Sequence, residues 1–381
     1  MATDIFSPEQ LAFAEAVRDF AKRECGTREQ RDALTENGAH AHSAELYSKV
    51  ADLGWLGVAV PEEYGGSGGG AVDMCLFLEE IAYGMIPLAG FSISAISAGP
   101  YERFGSEELK AEVLSGIASG AVAAIAMSEP GSGSDVGSLT CAAERSGDGF
   151  VLNGQKTWCS EAHIADTILV VARTDRSGSK HSGLSMFSIP TDTPGMEISG
   201  IPTMGGRIVN DIFLTDCRVP AERVVGDVDN GWVQLMSGLN IERLIIAAGS
   251  LGSARRMFDD VLAYVKERKQ FGSPIGSFQS IKHRLADLAT EIELVRLLTY
   301  DVAVKTDANP GVMLPREASM VKLKATEVAK QMALEGMQMM GGYGYASEYD
   351  MEAHVRRNLV GTIVGGTSEI QREVIAMTYG L

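Results

Sequence analysis

The sequence predicts an α+β chain whose helices and strands occupy separate blocks. Apolar residues recur at helical spacing through the first third, and the pattern shortens to that of strands from about residue 121. Long helical stretches return after Gly231. Segregated blocks of this kind point to layered helices and sheet rather than alternating βα units. With 381 residues the chain can hold two or three domains. The changes of period set expected boundaries at 1–120 for an all-helical domain, 121–225 for a β domain and 226–381 for a helical bundle.

The first helix opens at Ser7-Pro8-Glu9-Gln10, which supplies an N-cap hydroxyl, proline at the first helical position and a glutamine three residues on. Phe6 and Leu11 are spaced as a hydrophobic staple, and Leu11, Ala14, Val17 and Ala21 mark an apolar face. Further helices are expected over 44–53, 71–83 and 107–118, with the glycine-rich 65–70 stretch as a mobile connection. In the β block a short strand-like run covers 122–127. Residues 150–158, 167–172, 184–189 and 211–214 then read as strands between Gly, Asn, Asp and Pro turns. Helices over 232–268, 278–305, 316–340 and 368–377 complete the chain, with Met332, Met337, Met339 and Met340 as helix core.

The composition, 45% hydrophobic and 22% charged, is that of a soluble globular protein. A net charge of −17 argues against nucleic acid and anionic membrane surfaces as partners. Cys25, Cys75, Cys141, Cys159 and Cys217 are scattered and never form a CxxC pair. That usage predicts reduced thiols in a cytoplasmic setting, with neither a disulfide framework nor a zinc site. His40 and His42 stand in a polar stretch and no HExxH occurs, so no metal is expected. No apolar run reaches about 18 residues and no basic, apolar leader is visible, so neither a membrane span nor an export signal is expected.

The chemistry begins in the run Ala126-Met127-Ser128-Glu129-Pro130-Gly131-Ser132-Gly133-Ser134-Asp135. Such a loop turns backbone N–H groups toward an anion or the polar edge of a ring. No Gly-Lys-Ser/Thr follows it, and no helix is signalled directly after it, so it is neither a Walker loop nor a dinucleotide fingerprint. Four later elements give it a purpose, the holding of a flavin. Trp158 and Ser160 sit two apart on a strand, an indole to stack on the ring and a hydroxyl to bond its edge. Arg268 in Glu267-Arg268-Lys269-Gln270-Phe271-Gly272 can pair with a pyrophosphate. Gln338-Met339-Met340-Gly341-Gly342 ends a helix in glycines that permit close approach, and Gly366-Thr367-Ser368-Glu369 reads as an N-cap.

Taken in order, these motifs resemble those of the acyl-CoA dehydrogenases. The likeness runs end to end: Trp55-Leu56-Gly57 to Pro61-Glu62-Glu63-Tyr64-Gly65-Gly66, the signatures at 126–138 and 338–348, the Arg-x-x-Phe-Gly element and the terminal Gly-Thr-Ser-Glu-Ile-Gln. The resemblance implies an N-terminal helical domain, a middle β-barrel-like or sandwich domain and a C-terminal four-helix bundle, assembled as a homotetramer. It implies FAD held between the β domain and the bundle, with a neighbouring subunit completing the site. Carried over by position, Met127, Ser128, Gly133, Ser134, Trp158 and Ser160 surround the isoalloxazine, and Ser134 also faces the thioester ligand. Arg268, Gln270, Phe271 and Gln279 meet the phosphates and adenine side; Gln338, Gly341 and Gly342 come across the interface, with Thr367 and Glu369 nearby. Tyr343 and Tyr345 are expected to be packing residues.

The family's reaction removes a proton α to a thioester and a hydride from the β carbon, and needs a carboxylate base. Many members carry it in Tyr-Glu-Gly-Thr; the matching positions here read Val364-Gly365-Gly366-Thr367. Another acid stands in the apolar helical run Leu239-Asn240-Ile241-Glu242-Arg243-Leu244-Ile245, similar to the isovaleryl- and long-chain-type members. Glu242 is therefore the expected base, with Asn240, Arg243, Val364, Gly365 and Ser134 around the substrate. Glu352-Ala353 and Arg356-Arg357 depart from the Glu-Arg and Arg-Asp pairs common in the family. The resemblance implies an acyl-CoA substrate, a trans-2-enoyl product and an electron-transfer flavoprotein as acceptor. The same fold also serves acyl- or aminoacyl-carrier-protein dehydrogenases and oxidases, and non-catalytic subunits of mixed oligomers.

Overall fold

A computed structural model of the protein describes residues 5–381. Its contacts divide the chain into two compact units that are not contiguous in sequence. One holds the residues up to Ala33, Gly70–Ile86 and Glu242–Leu381; the other holds Leu34–Gly69 and Pro87–Ile241.

The second of these units is built on a sheet of β1 (Ala123–Ala126), β2 (Ala142–Ser146), β3 (Gly149–Ser160), β4 (Thr167–Arg173), β5 (Leu184–Pro190), β6 (Met196–Gly200), β7 (Val209–Pro220) and β8 (Val224–Val225). The strand order is β6-β7-β3-β2-β4-β5-β8, with β1 added parallel to β4. Strand β4 is buried along its whole length, as its unbroken apolar run Ile168–Ala172 requires. The unit also contains α3 (Ala44–Asp52), α5 (Ala89–Phe104) and α6 (Glu107–Ser119). Tyr101, Leu109, Leu114, Ile117, Leu139, Leu169 and Met186 share one core, and the buried Tyr101 hydroxyl reaches Ser188 Oγ at 3.0 Å. Helix α5 has no clear sequence signal, because Gly90, Gly99 and Pro100 dilute it; packing on β1 overrides that local weakness. The 65–70 stretch is tied down rather than free: the amides of Ser67, Gly68 and Gly69 bond Gly57 O, Val60 O and Val58 O at 2.8–2.9 Å.

The other unit is helical, with α1 (Pro8–Cys25), α4 (Ala71–Tyr83), α8 (Gln279–Ala308), α9 (Pro315–Met340), α10 (Gly342–Tyr345), α11 (Met351–Asn358) and α12 (Ser368–Met377). Helices α2 (Arg28–Thr35) and α7 (Gly231–Glu267) each run across a unit boundary. The capping box of α1 forms as its sequence dictates: Gln10 N donates to Ser7 Oγ and Ser7 N to Gln10 Oε1. The staple does not, since Leu11 is exposed and Phe6 packs edge-on against Tyr300. Helix α9 is the hub, packed against α8, α11 and α12. Among its methionines Met332, Met339 and Met340 are buried. Asp307 of α8 accepts the amides of Ala71 and Val72, capping α4 from a distant point in the chain. Among the described residues no helix is long and apolar enough to cross a membrane, and no acid–thiol–imidazole cluster could hold a metal.

Candidate active site

The Ser/Gly loop leaves the end of β1 and is fastened from beneath. Lys156 of β3 has no exposed surface; its Nζ donates to Met127 O at 3.1 Å and to Glu129 Oε1 at 2.8 Å. Glu129 also accepts from the amides of Thr140 and Cys141 and from Thr140 Oγ1. Burial alone would raise this carboxyl, but the Lys156 charge and those amides outweigh it and hold it below the ordinary range. At the far end Arg173 donates to the carbonyls of Gly137, Leu139, Lys180 and Ser182. On this fastened frame Met127 and Ser128 are half-buried, and Gly133 and Ser134 are exposed.

Strand β3 brings the next two residues to the same loop, since Thr157 N donates to Ser128 O at 2.9 Å. Between Lys156 and Cys159 the strand carries two residues against one on β7, a bulge in which Trp158 takes φ +60°. The bulge throws the indole outward, 59% exposed, while Cys159 is buried and Ser160 half-buried. Next in sequence, Glu161 also adopts positive φ, and both of its buried carboxylate oxygens lack a hydrogen-bond partner. Desolvation pushes it up to about 8. His163 Nε2 stands 3.9 Å away.

In the helical unit, α7 runs into a tight hairpin of β9 (Lys269–Gln270) and β10 (Ser273–Pro274). Its turn residues Phe271 and Gly272 both have positive φ, the two-residue type I′ arrangement, and Phe271 is 95% exposed. The hairpin borders an open cavity of about 890 Å³ whose lining includes Arg268, Gln270, Phe271, Gly341 and Gly342. The Arg268 guanidinium lies 5.2 Å from the centre of the Tyr343 ring, which joins Tyr264 and Tyr349 in an aromatic cluster. Tyr345, expected to pack, is instead 80% exposed. Gln279 and Gln338 are exposed on α8 and α9 and do not line this cavity.

The same unit holds Glu242 and Gly365 side by side. A Cβ built on Gly365 would fall 3.4 Å from Glu242 Oε1 and too close to Ile246 Cδ1, and the residue's φ of +61° already favours glycine. Burial raises the Glu242 carboxyl above its ordinary range, while Arg243 and Lys322 pull it back. Arg243 is buried beside it and Val364 is exposed. Thr367 caps α12 through its hydroxyl, which accepts from Ile370 N, and Glu369 is exposed in the first turn. Asn240 is half-buried on α7, two residues before Glu242 in the chain.

Three family models match, in order, the acyl-CoA dehydrogenase N-terminal domain over 7–121, the middle domain over 124–217 and the C-terminal domain over 229–380. The chain belongs to the acyl-CoA dehydrogenases. It is 39% identical to a probable acyl-CoA dehydrogenase, YngJ, of Bacillus subtilis, covering 97% of each chain. It is 36% identical to the mitochondrial isovaleryl-CoA dehydrogenase of Solanum tuberosum, over 97% of this chain and 90% of that one. A crystal structure of an acyl-CoA dehydrogenase from Geobacillus kaustophilus superposes with TM-score 0.92 at 32% identity, covering 99% of both chains. The protein is thus a flavoprotein oxidoreductase acting on acyl-CoA, and FAD is the cofactor of its family. The residues present fit that group. Trp158 offers an uncovered ring face, Arg268 a cation inside a cavity, and a Cβ at Gly133, Gly341 or Gly342 would meet nothing within 4 Å.

Sequence reading passed over the residues that fix these walls. Lys156, Glu129, Arg173 and Lys322 bond to backbone and side-chain groups distant in the chain, and for Lys156 and Lys322 the signal is faint: a lysine inside an apolar strand or helix stripe.

Proposed function

We propose that the protein catalyses α,β-dehydrogenation of an acyl-CoA thioester to the trans-2-enoyl thioester, with Glu242 removing the α proton. The observation that carries this reading is the pairing of Glu242 with Gly365. The family's loop position for a base has no side chain, and the carboxylate of α7 lies against that vacant position. A half-buried carboxylate lifted above its ordinary range is a stronger proton acceptor than a solvated one, yet it must be ionised to act. Arg243 and Lys322 keep it ionisable. FAD, when bound beside these residues, would supply the two-electron acceptor for the β hydride.

The remaining roles are those that the family resemblance implies for these positions. Ser128 and Ser160 bond the polar edge of the isoalloxazine, Trp158 stacks on it, and Met127, Gly133 and Ser134 line its wall. Arg268, Gln270, Phe271 and Gln279 take the pyrophosphate and adenine side, with Gln338, Gly341, Gly342, Thr367 and Glu369 completing cofactor contacts. Ser134, Asn240, Arg243, Val364 and Gly365 face the substrate. The domain limits are 1–120, 121–225 and 226–381, the assembly is a homotetramer in the cytoplasm, and the acceptor is an electron-transfer flavoprotein. Support for the assembly and acceptor is the family resemblance.

Glu242→Gln tests the central role. The variant should retain bound FAD and lose anaerobic flavin reduction by an acyl-CoA substrate by about 10⁴-fold, the upper range for a general base. Reduction at the wild-type rate would assign the proton transfer to another group.

A further inference from the structure

The turn that faces Glu242 is held by two side chains with no exposed surface, Lys322 of α9 and Gln371 of α12. Lys322 Nζ donates to Gly361 O at 2.9 Å and to Gly366 O at 2.8 Å. Gln371 Nε2 donates to Gly365 O at 2.9 Å and Gly366 O at 3.0 Å. Four hydrogen bonds thus converge on one six-residue segment, and the segment contains the glycine whose missing side chain makes room for the base. An ammonium buried completely to hold neutral carbonyls is a costly arrangement when an amide could do the same. The charge itself therefore calls for a reason, and the nearby carboxylate supplies one.

We propose that Lys322 is a positioning residue of the Glu242 centre: its ammonium pins the 361–366 turn against the base and stands beside the carboxylate as a fixed positive charge. The proposal rests on the reading of Glu242 as the base. The groups that face Lys322 are Glu242 and Arg243 on α7, Glu327 on its own helix and Glu369 on α12. Burial drives the Lys322 ammonium down to about 8, and Glu242 is the chief charge resisting that fall. In return Lys322, with Arg243, lowers the Glu242 carboxyl against the desolvation that lifts it. Gln371 shares the pinning and carries no charge, so the two functions can be separated by substitution.

The test uses the FAD-loaded enzyme and two readouts. One is the acid limb of the pH profile for anaerobic flavin reduction, which reports the pH at which the base ionises. The other is amide hydrogen exchange across 361–367, followed by mass spectrometry, which reports the turn alone. Lys322→Met should move the acid limb up by on the order of one pH unit, because the carboxylate loses an opposite charge. It should also speed exchange across the turn by about ten-fold, as expected for losing hydrogen bonds worth roughly 1.4 kcal/mol. Lys322→Gln, which keeps a donor and fits the same space, should shift the limb with less effect on exchange. Gln371→Leu should speed exchange and leave the limb in place, and Lys322→Arg should restore the limb. An acid limb at the wild-type pH in both neutral Lys322 variants overturns the electrostatic role; unchanged exchange in Lys322→Met overturns the pinning. Failure of the underlying reading looks different: Glu242→Gln would then reduce its flavin normally, whatever the Lys322 variants do.

Discussion

Each unit hides a lysine with no exposed surface beneath a glycine-containing segment, yet the carboxylates beside the two lysines are in opposite states. In the sheet unit, Glu129 accepts from Lys156, two amides and a hydroxyl, and its carboxyl is held below the ordinary range. In the helical unit, Lys322 spends its hydrogen bonds on carbonyls, and Glu242 is lifted above the ordinary range. Burial acts in the same direction on both acids. What separates them is how far opposite charge and hydrogen bonding to the charged form offset it: Lys156 and two amides outweigh burial at Glu129, while the charges of Arg243 and Lys322 do not at Glu242. A carboxylate held in its charged form is a strut, and one lifted above its ordinary range is suited to take up a proton.

The largest effect that would break this contrast is a matched pair of isosteric changes. Glu242→Gln should remove about 10⁴-fold in flavin reduction, equivalent to roughly 5.5 kcal/mol of barrier, and leave the unfolding midpoint nearly unchanged. Glu129→Gln should do the reverse. It leaves Lys156 buried without its counter-ion, at a cost of about 3 kcal/mol in denaturant unfolding, while each FAD still bound is reduced at a normal rate. If Glu129→Gln proved as stable as the wild type, the loop would not depend on its ion pair.

A smaller effect sharpens the contrast inside the sheet unit, where Glu129 and Glu161 should respond to pH with opposite sign. Glu129 has a lowered folded-state value, so its contribution is present above the unfolded carboxyl range and lost as pH falls through the folded value. Glu161 is raised to about 8 with neither oxygen partnered. Its folded state therefore favours the protonated form. Its contribution is complete below the unfolded value near 4.5 and is lost as pH rises toward 8. Glu161→Gln should thus gain stability on the wild type by roughly 2 kcal/mol between pH 5 and 8, less than the full shift implies because relaxation hydrates a buried charge. Thermal unfolding at several pH values reads this difference directly. A constant offset across that range would mean that Glu161 does not change its charge on folding.

How much of this was legible in the sequence depended on the range of the interaction. The capping box at Ser7 and Gln10 is local and formed as read. The staple between Phe6 and Leu11 was equally local in pattern, but Tyr300, nearly three hundred residues away, offered Phe6 a better surface. The glycines at 65–69 looked unconstrained because their partners are backbone carbonyls at 58–62, which no side-chain pattern announces. Glu242 could be singled out only because the family resemblance set that lone acid of an apolar helical run beside the missing loop carboxylate at Gly365. Lys156 and Lys322 were not, since their roles depend on carbonyls and carboxylates brought to them only by folding.

The smallest effect concerns the space between Gly365 and α7. A methyl at position 365 would press on Ile246 Cδ1 and sit at ordinary contact distance from Glu242 Oε1. Two costs follow, and they are separable. The positive φ should cost an alanine about 1 kcal/mol wherever its methyl points. The clash involves only the tip of a flexible side chain, so Ile246→Val should relieve it. Gly365→Ala should accordingly slow flavin reduction more in the wild-type background than in Ile246→Val, with the residual stability loss near the backbone term alone. Equal effects in both backgrounds would show that Ile246 yields freely, and that the backbone of the turn rather than the neighbouring side chain requires glycine beside the base.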